Sequence, residues 1–210
     1  MIKEFEKRLL SSFILIPIAI FFIIQGSVFF IFFLSILFLV TSYEWLKMNT
    51  KNNLMKIYGI IFLLFSFYAA FNLRESGSNL FLFIITVCIF TDIGGYIFGK
   101  TFKGPKLTKI SPNKTYSGVI GSFLLSITAG LIFIKYIEEQ SFRNNDQLVI
   151  LLLILLISFI SQIGDLVISY FKRKAKLKDT GKILPGHGGL LDRIDGLVFV
   201  MPIIYLLDKI

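Results

Sequence analysis

Apolar residues fill this chain in long runs, and short clusters of charged or turn-forming residues separate them. The seven runs cover residues 9–24, 28–46, 57–72, 79–99, 117–136, 147–171 and 190–207. Because a helix needs about 20 apolar residues to cross a bilayer, this pattern predicts seven transmembrane helices. The first run is short, and Gln25-Gly26-Ser27 predicts a tight hairpin that lets the first two helices insert together. We therefore predict an all-α, polytopic integral membrane protein.

The N-terminal 24 residues allow a second interpretation. Lys3, Lys7 and Arg8 precede an apolar stretch, as in a cleaved signal peptide. No small-residue cleavage site follows, however, and the next apolar run begins almost at once. Residues 1–24 are therefore kept as the first helix.

The basic residues predict the orientation in the membrane. If the N-terminus is cytoplasmic, 18 of the 22 Lys and Arg residues fall in cytoplasmic segments, and only Arg74, Lys135, Arg143 and Lys209 do not. Cytoplasmic loops of membrane proteins carry such an excess. The asymmetry predicts that the N-terminus is inside and the C-terminus outside, in the inner (plasma) membrane with a site facing the cytoplasm.

Composition narrows the class of protein. Hydrophobic residues make up 55% of the 210 residues, above the roughly 45–50% of soluble domains. Cys88 is the only cysteine, which excludes a disulfide within the chain. The net charge of +9 is concentrated in residues 100–114 and 165–195. This predicts an anionic partner, and since no nucleic-acid-binding motif accompanies the charge, we expect lipid headgroups or phosphate compounds rather than nucleic acid.

Four acids lie where this topology brings them to the same half of the membrane. Asp92 and Asp165 precede the cytoplasmic ends of the fourth and sixth runs, and Asp192 and Asp195 open the seventh. Acids in such positions are costly and usually face a polar cavity or a partner. On a helix, Asp165, Ser169 and Lys172 share one face, as do Asp192 and Asp195. Oxygen ligands of this kind suit Mg²⁺ or Mn²⁺ together with substrate phosphates, and a second cation is compatible with them.

A glycine-rich turn stands directly before the seventh run. Gly186-His187-Gly188-Gly189 is predicted to offer free backbone N–H groups at a helix N-terminus, where an anion can bind. Neighbouring lysines and arginines can hold phosphate oxygens. Lys114, in the loop before the fifth run, is placed to do the same.

These residues together resemble a known signature. The run from Ser169 to Asp195, with Leu184-Pro185-Gly186-His187-Gly188-Gly189 at its centre, resembles that of the phosphatidate cytidylyltransferases, the CDP-diacylglycerol synthases. Asp92 with Tyr96, Gly99 and Lys100 resembles a second family segment. Ser111-Pro112-Asn113-Lys114-Thr115 resembles a third, with Asn113 in place of a usual lysine.

The resemblance implies an activity and roles for individual residues. CTP and phosphatidic acid would give CDP-diacylglycerol and pyrophosphate, with Mg²⁺ required. The residues expected in catalysis are Asp165, Lys172, Arg173, Lys178, Asp179, His187, Asp192 and Asp195. Those expected to bind substrate are Asp92, Lys100, Ser111, Lys114, Thr115, Ser169, Gly186, Gly188, Gly189 and Arg193. Asp165, Asp192 and Asp195 are expected to bind the metal ion. Asp92 is expected either to bind it too or to hydrogen-bond to the groups that do.

The resemblance also bears on domains and assembly. Residues 1–75 are predicted to form scaffold helices with a role in lipid access. Residues 76–210 are predicted to form the catalytic part, with cytoplasmic loops at 100–116 and 172–191. Family members are often longer, so this chain is expected to be a compact version, and a homodimer is implied by the family alone. Two alternatives stay open: a CTP-dependent membrane lipid kinase, and a cation or phosphate transporter, for which the one-sided charge and the absence of a visible repeat are unfavourable.

Overall fold

The protein is entirely helical in the part of the chain that the structure describes. A computed structural model describes residues 2–48, 53–108, 111, 114–136, 146–184 and 188–209, without the side chains of residues 2–12 and 14. Within these ranges seven helices follow one another: α1 Ile2–Gln25, α2 Ser27–Met48, α3 Asn53–Ser76, α4 Ser78–Phe102, α5 Tyr116–Tyr136, α6 Gln147–Lys174 and α7 Leu191–Asp208. Each of the seven predicted runs is therefore a helix.

Five of these helices, α2 to α6, are long and apolar enough to cross a membrane. Their large exposed side chains, such as Phe32, Ile61 and Leu152, are apolar. In water this surface would be unfavourable, whereas lipid tails accept it without cost. The chain is an integral membrane protein; α1 and α7 are not among these five.

The predicted hairpin between α1 and α2 is present. The helix breaks at Gly26, whose φ of 62° is in the left-handed region that glycine adopts most readily. Arg74 at the end of α3 donates from Nε to the carbonyl of Ile23 (2.9 Å) and from a terminal nitrogen to that of Ile24 (3.0 Å). The guanidinium thus satisfies carbonyls that the end of α1 leaves without a helical partner.

The chain forms two compact units, Met1–Ser78 with Phe171–Ile210, and Asn79–Tyr170. In the first unit, α7 packs against α3 and α2. The buried Ser66 hydroxyl on α3 donates to the Val198 carbonyl on α7 (2.7 Å). The predicted boundary at residue 75 is close to the division at 78, but residues 171–210 group with the N-terminal helices. The roles assigned to the two predicted segments stay predictions.

The second unit is held by small residues and hydroxyl groups between apolar helices. The Ser122 hydroxyl on α5 donates to the Thr91 carbonyl on α4 (2.7 Å), and the Thr91 hydroxyl bonds to the Ser158 hydroxyl on α6 (3.0 Å). Small side chains let helix backbones approach closely in membranes, where interhelical hydrogen bonds add to packing. At Gly94 the approach leaves no room, since an added Cβ would lie 2.8 Å from the Gly121 carbonyl carbon and 2.9 Å from the Ser122 Cα.

We expect Gly94→Ala to destabilise the protein by about 1–3 kcal/mol, because the new methyl group meets backbone atoms that cannot rotate away. Thermal unfolding in detergent measures the effect. Thr128→Ala, a change at an exposed residue of α5, is the control and is expected to leave the unfolding temperature nearly unchanged. A wild-type unfolding temperature for Gly94→Ala would contradict the close approach of α4 and α5.

Candidate functional site

A buried ion pair joins α6 to α7 within the first unit. The Lys172 ammonium at the end of α6 lies 2.8 Å from the Asp192 Oδ1 in the first turn of α7. The two side chains are only 11% and 6% exposed. A buried charge is tolerated when it is paired and hydrogen-bonded. The ion pair therefore holds Lys172 next to Asp192. Both residues are expected from the sequence to act in catalysis.

The second oxygen of Asp192 organises the loop before α7. Asp192 Oδ2 accepts hydrogen bonds from the backbone N–H groups of Thr180 (2.8 Å) and Gly189 (3.1 Å). A carboxylate has about four acceptor positions, so three donors leave it little further capacity. Asp192 thereby holds Thr180 and Gly189, both in the loop between α6 and α7, to the first turn of α7.

Glu44 on α2 completes this arrangement. Its side chain is 1% exposed and accepts from the Thr180 hydroxyl (3.0 Å), the Leu190 N–H (3.0 Å) and the Leu191 N–H (2.8 Å). The last two are N–H groups at the α7 N-terminus that have no helical acceptor, and a negative charge there is favourable. Glu44 is not among the site residues expected from the sequence, so the structure adds it to the site.

Glycines make the loop's approach to the two carboxylates possible. A Cβ on Gly189 would lie 2.6 Å from the Gly181 nitrogen and 2.7 Å from Glu44 Oε2. Gly188 has a φ of 85°, and a Cβ there would lie 3.3 Å from both Asp179 Cβ and Asp192 Oδ2. Asp179 and Asp192 therefore both lie close to the position that a side chain on Gly188 would take.

Of the N–H groups of Gly186 to Gly189, which are predicted to be free for an anionic ligand, that of Gly189 instead donates to Asp192. The N–H groups of Leu190 and Leu191, directly after it, donate to Glu44. The helix N-terminus does attract anions, as expected, and the anions are side chains of the same chain. Gly186 and His187 lie outside the described residues, so their predicted roles stay predictions.

Of the other predicted residues of this unit, Asp195 is buried, whereas Arg173, Lys178 and Arg193 are exposed. Asp195 is 7% exposed, and its Oδ1 accepts from the Gly196 N–H (2.9 Å). Arg173 donates to the Leu177 carbonyl in the loop after α6 (3.1 Å). Lys178 and Arg193 are exposed. They are accessible to an anionic ligand.

The second unit contains a similar lysine and carboxylate pair. The Lys114 ammonium lies 2.6 Å from Asp165 Oδ2 and 3.4 Å from the Gln162 carbonyl. Ser169, one turn after Asp165, donates to Asp165 Oδ1 (3.1 Å). The predicted common face of Asp165 and Ser169 is thus confirmed. The pair is 24% and 30% exposed, so it is open to solvent in part.

The loop that carries Lys114 is shaped by its own polar residues. The Lys114 N–H donates to the Ser111 carbonyl (3.1 Å). The Thr115 hydroxyl accepts from the Gly118 N–H (3.1 Å), as an N-cap of α5 does. Ser111 and Thr115, predicted to bind substrate, therefore make contacts that fix the loop around Lys114; their contact with substrate stays a prediction.

Asp92 and Lys100 lie on α4, and both are exposed. Lys100 bonds to the Tyr96 hydroxyl (3.2 Å) and lies over its ring, 5.4 Å from the centroid. With a spacing of four residues, Asp92, Tyr96 and Lys100 follow one face of the helix. This face of α4 carries one acidic and one basic side chain, and both are exposed.

Carboxylates that could hold a metal ion are present, but in the described residues no three Asp, Glu, His or Cys side chains form a metal-binding group. Asp165 and Asp192 each hold a lysine instead. Mg²⁺ commonly uses only one or two carboxylates and completes its shell with phosphate oxygens and water. The donor chemistry therefore fits Mg²⁺ when a phosphate substrate supplies the remaining ligands.

Comparison with known proteins gives consistent similarities. The model of the Cytidylyltransferase family matches residues 51–210. The phosphatidate cytidylyltransferase of Rickettsia felis is 34% identical over 208 residues, which cover 96% of this chain and 91% of that protein. That of Rickettsia typhi is 34% identical over 205 residues, covering 94% and 89%. That of Brucella melitensis is 42% identical over 135 residues, so the match spans about half of that protein, 48%, and 64% of this chain.

Proposed function

Because this chain belongs to the cytidylyltransferase family, we infer that it transfers the cytidylyl group of CTP to phosphatidic acid, giving CDP-diacylglycerol and pyrophosphate for phospholipid synthesis. The observation that carries this conclusion is the similarity to phosphatidate cytidylyltransferases over nearly the whole chain. The matched residues include both lysine and carboxylate pairs. The enzyme is a nucleotidyltransferase of the membrane. A lipid kinase or a transporter is not favoured by these similarities.

The reaction exchanges one phosphoanhydride bond for another. A phosphate oxygen of phosphatidic acid attacks the α-phosphorus of CTP, the bond from that phosphorus to the bridging oxygen breaks, and pyrophosphate leaves. The attacking phosphate is largely ionised at neutral pH, so the step needs little help from a general base. Both substrates are polyanions, and the main task of the protein is to position them and neutralise their charge.

In the first unit this task falls to Lys172 and the residues around it. The Lys172 ammonium is held by Asp192 and can turn to a phosphate oxygen as substrate binds. The exposed Arg173, Lys178 and Arg193 supply further positive charge. Because the phosphates of CTP carry several negative charges, such a set lowers the repulsion between nucleotide and lipid phosphate.

In the second unit Lys114 and Asp165 form the corresponding pair. The carboxylates proposed to hold Mg²⁺ are Asp165 in this unit, with Asp92 as a further candidate, and Asp192 in the first unit, with Asp195 as a further candidate. When bound, the ion would neutralise phosphate charge and stabilise the departing pyrophosphate. Ser169 holds the Asp165 carboxylate by a hydrogen bond, and Lys114 would contact phosphate once the carboxylate takes another partner. A homodimer is part of the proposal on family grounds.

Incubation of the purified protein in detergent with phosphatidic acid, Mg²⁺ and labelled CTP tests the function. We expect labelled CDP-diacylglycerol and an equal amount of pyrophosphate. Transfer of a labelled γ-phosphate from CTP to a lipid alcohol would identify a kinase instead. Absence of a lipid product, together with an ion flux in proteoliposomes, would overturn the transferase assignment.

We further propose that the N-terminus and the charged loops face the cytoplasm of a bacterial plasma membrane, since the basic residues are concentrated on that side. In a Cys88→Ser background, Lys174→Cys is expected to react with a membrane-impermeant maleimide in inside-out vesicles and not in intact cells. Lys209→Cys is expected to show the opposite pattern. Labelling of Lys174→Cys in intact cells would reverse the orientation.

A further inference from the structure

A single acid from α2 reaches the loop that carries the proposed catalytic residues. We propose that Glu44 is a positioning residue of the transferase, which sets the orientation of the Asp192 carboxylate by holding Thr180 and the start of α7. The expected effect of Glu44 on turnover rests on the proposed function. The contacts that carry the inference lie within the first unit and do not depend on that function.

The burial of Glu44 indicates a specific role. Its side chain is 1% exposed, and the hydrogen bonds that it accepts come from three uncharged donors. Burying an ionised carboxylate is costly, and a leucine could pack α2 against the bundle without this cost. The carboxylate offers what leucine cannot, since its two oxygens accept three donors at fixed positions.

The contacts of Glu44 continue to the proposed catalytic pair through Thr180. The Thr180 hydroxyl donates to Glu44 Oε2 (3.0 Å), while the Thr180 N–H donates to Asp192 Oδ2 (2.8 Å). Asp192 Oδ1 in turn accepts from Lys172 (2.8 Å). Loss of the Glu44 acceptor therefore releases one of the donors that orient the Asp192 carboxylate.

Glu44 also fixes the start of α7 from the other side. Leu190 and Leu191 donate their N–H groups to different oxygens of Glu44, at 3.0 and 2.8 Å. Asp192 and Asp195 follow within the first turns of the same helix. Rotation or fraying of this helix start would displace both acids, and a misplacement of about 1 Å at a reacting centre can lower a rate about 100-fold.

Glu44→Gln is the most conservative test. Glutamine has one acceptor oxygen and one NH₂ group, so whichever way the amide faces, at least one of the three donors meets another donor. We expect kcat/KM for CTP to fall about 10- to 100-fold, as is typical when a residue that orients a catalytic ligand is lost. Glu44→Asp, which withdraws the carboxylate by one methylene, is expected to give a smaller loss.

A second readout is independent of activity. In Glu44→Gln the new NH₂ group takes the place of one of the two oxygens. Hydrogen exchange of the amide that donated to that oxygen, Leu190 or Leu191, is expected to become about tenfold faster, since a hydrogen bond of ordinary strength is lost. Trypsin cleavage after the exposed Lys182 is expected to accelerate in parallel. Faster exchange and cleavage in Glu44→Gln, together with no CDP-diacylglycerol from the wild-type protein, would refute the proposed function. The contact of Glu44 with Thr180 and the start of α7 would still be supported.

Thr180 separates positioning from general stabilisation. Thr180→Val removes the hydroxyl and keeps the N–H that Asp192 accepts, whereas Thr180→Ser keeps both. We expect Thr180→Val to lower kcat/KM and Thr180→Ser to restore at least half of it. The double variant Glu44→Gln with Thr180→Val is expected to be little worse than Glu44→Gln alone, because both changes break the same contact. Thr180→Val also keeps the test decisive if Glu44→Gln does not fold.

Ser66→Ala is the matched control. Ser66 is buried and bonds α3 to α7 at Val198, more than one turn past Asp192, so its loss should lower the unfolding temperature and leave kcat/KM unchanged. Glu75→Gln controls for the loss of an acid at the surface of the same unit. The inference is overturned if Glu44→Gln keeps the wild-type kcat/KM, or if Ser66→Ala, at an equal loss of unfolding temperature, lowers it as much.

Discussion

Replacing Asp192 by asparagine is expected to lower the rate of CDP-diacylglycerol formation by about 10³-fold or more, the size of effect seen when a charge-stabilising group is removed from an active site. The carboxylate is the anionic partner of Lys172 and the acceptor of two loop N–H groups. Asparagine removes the negative charge and presents an NH₂ group to donors. The initial rate at saturating CTP and phosphatidic acid measures the loss.

The same change also affects folding, and this effect has to be separated from the chemistry. With asparagine at 192, the Lys172 ammonium loses its anion in a place where the lysine side chain is only 11% exposed, and breaking a buried pair costs about 3–5 kcal/mol. Asp192→Asn combined with Lys172→Met removes both charges and is expected to recover part of the stability without recovering the rate. Asp208→Asn, an exposed acid at the end of α7, is the control. Retention of wild-type activity in Asp192→Asn at ordinary Mg²⁺ would remove this carboxylate from the catalytic set.

The helices of this protein were predictable because each is a long apolar run between polar breaks. The predicted run at 147–171 became α6, Gln147–Lys174, and the predicted break at Gly26 became the turn between α1 and α2. Lipid accepts apolar side chains on every face of a helix, so the runs are uninterrupted and their ends are marked by charge. The orientation of the helices in the membrane stays a prediction.

The sequence singles out individual candidate residues for the site, but it does not indicate which of them are partners. Lys172 and Asp192 are 20 residues apart and Lys114 and Asp165 are 51 apart, and nothing in the local spacing indicates that they pair. Glu44 lies 146 residues from Leu190. A lone acid near the end of an apolar helix was the available signal, and it also fits an interfacial position. The fold decides between these interpretations, because only packing brings α2 to the start of α7.

The two pairs share a chemical logic. In each, a lysine proposed to hold phosphate neutralises a carboxylate proposed to hold Mg²⁺. Such a pairing lowers the cost of leaving either charge alone in a site next to lipid. A bound metal ion would be the new partner of the carboxylate, and a phosphate would be that of the lysine, so each pair could open without leaving a charge uncompensated.

Asp165→Asn is expected to have the second largest effect, a loss of about 10²- to 10³-fold in kcat. Unlike Asp192, Asp165 belongs to a pair that is about a quarter to a third exposed (24% and 30%), and partly exposed pairs contribute only about 0–1 kcal/mol to stability. We therefore expect the unfolding temperature to stay close to that of the wild type. Initial rates over a range of CTP concentrations separate kcat from KM.

Asp146→Asn, an exposed acid just before α6, is the matched control for charge. Lys114→Met combined with Asp165→Asn extends the test, since two residues that act in the same step give losses that do not add. If Lys114 serves only to hold Asp165, the double variant will match Asp165→Asn. If Lys114 also contacts phosphate, as proposed, Lys114→Met alone will raise KM for CTP. Wild-type kcat in Asp165→Asn would show that this carboxylate is not part of the reaction, and the pair would then be a structural contact of the second unit.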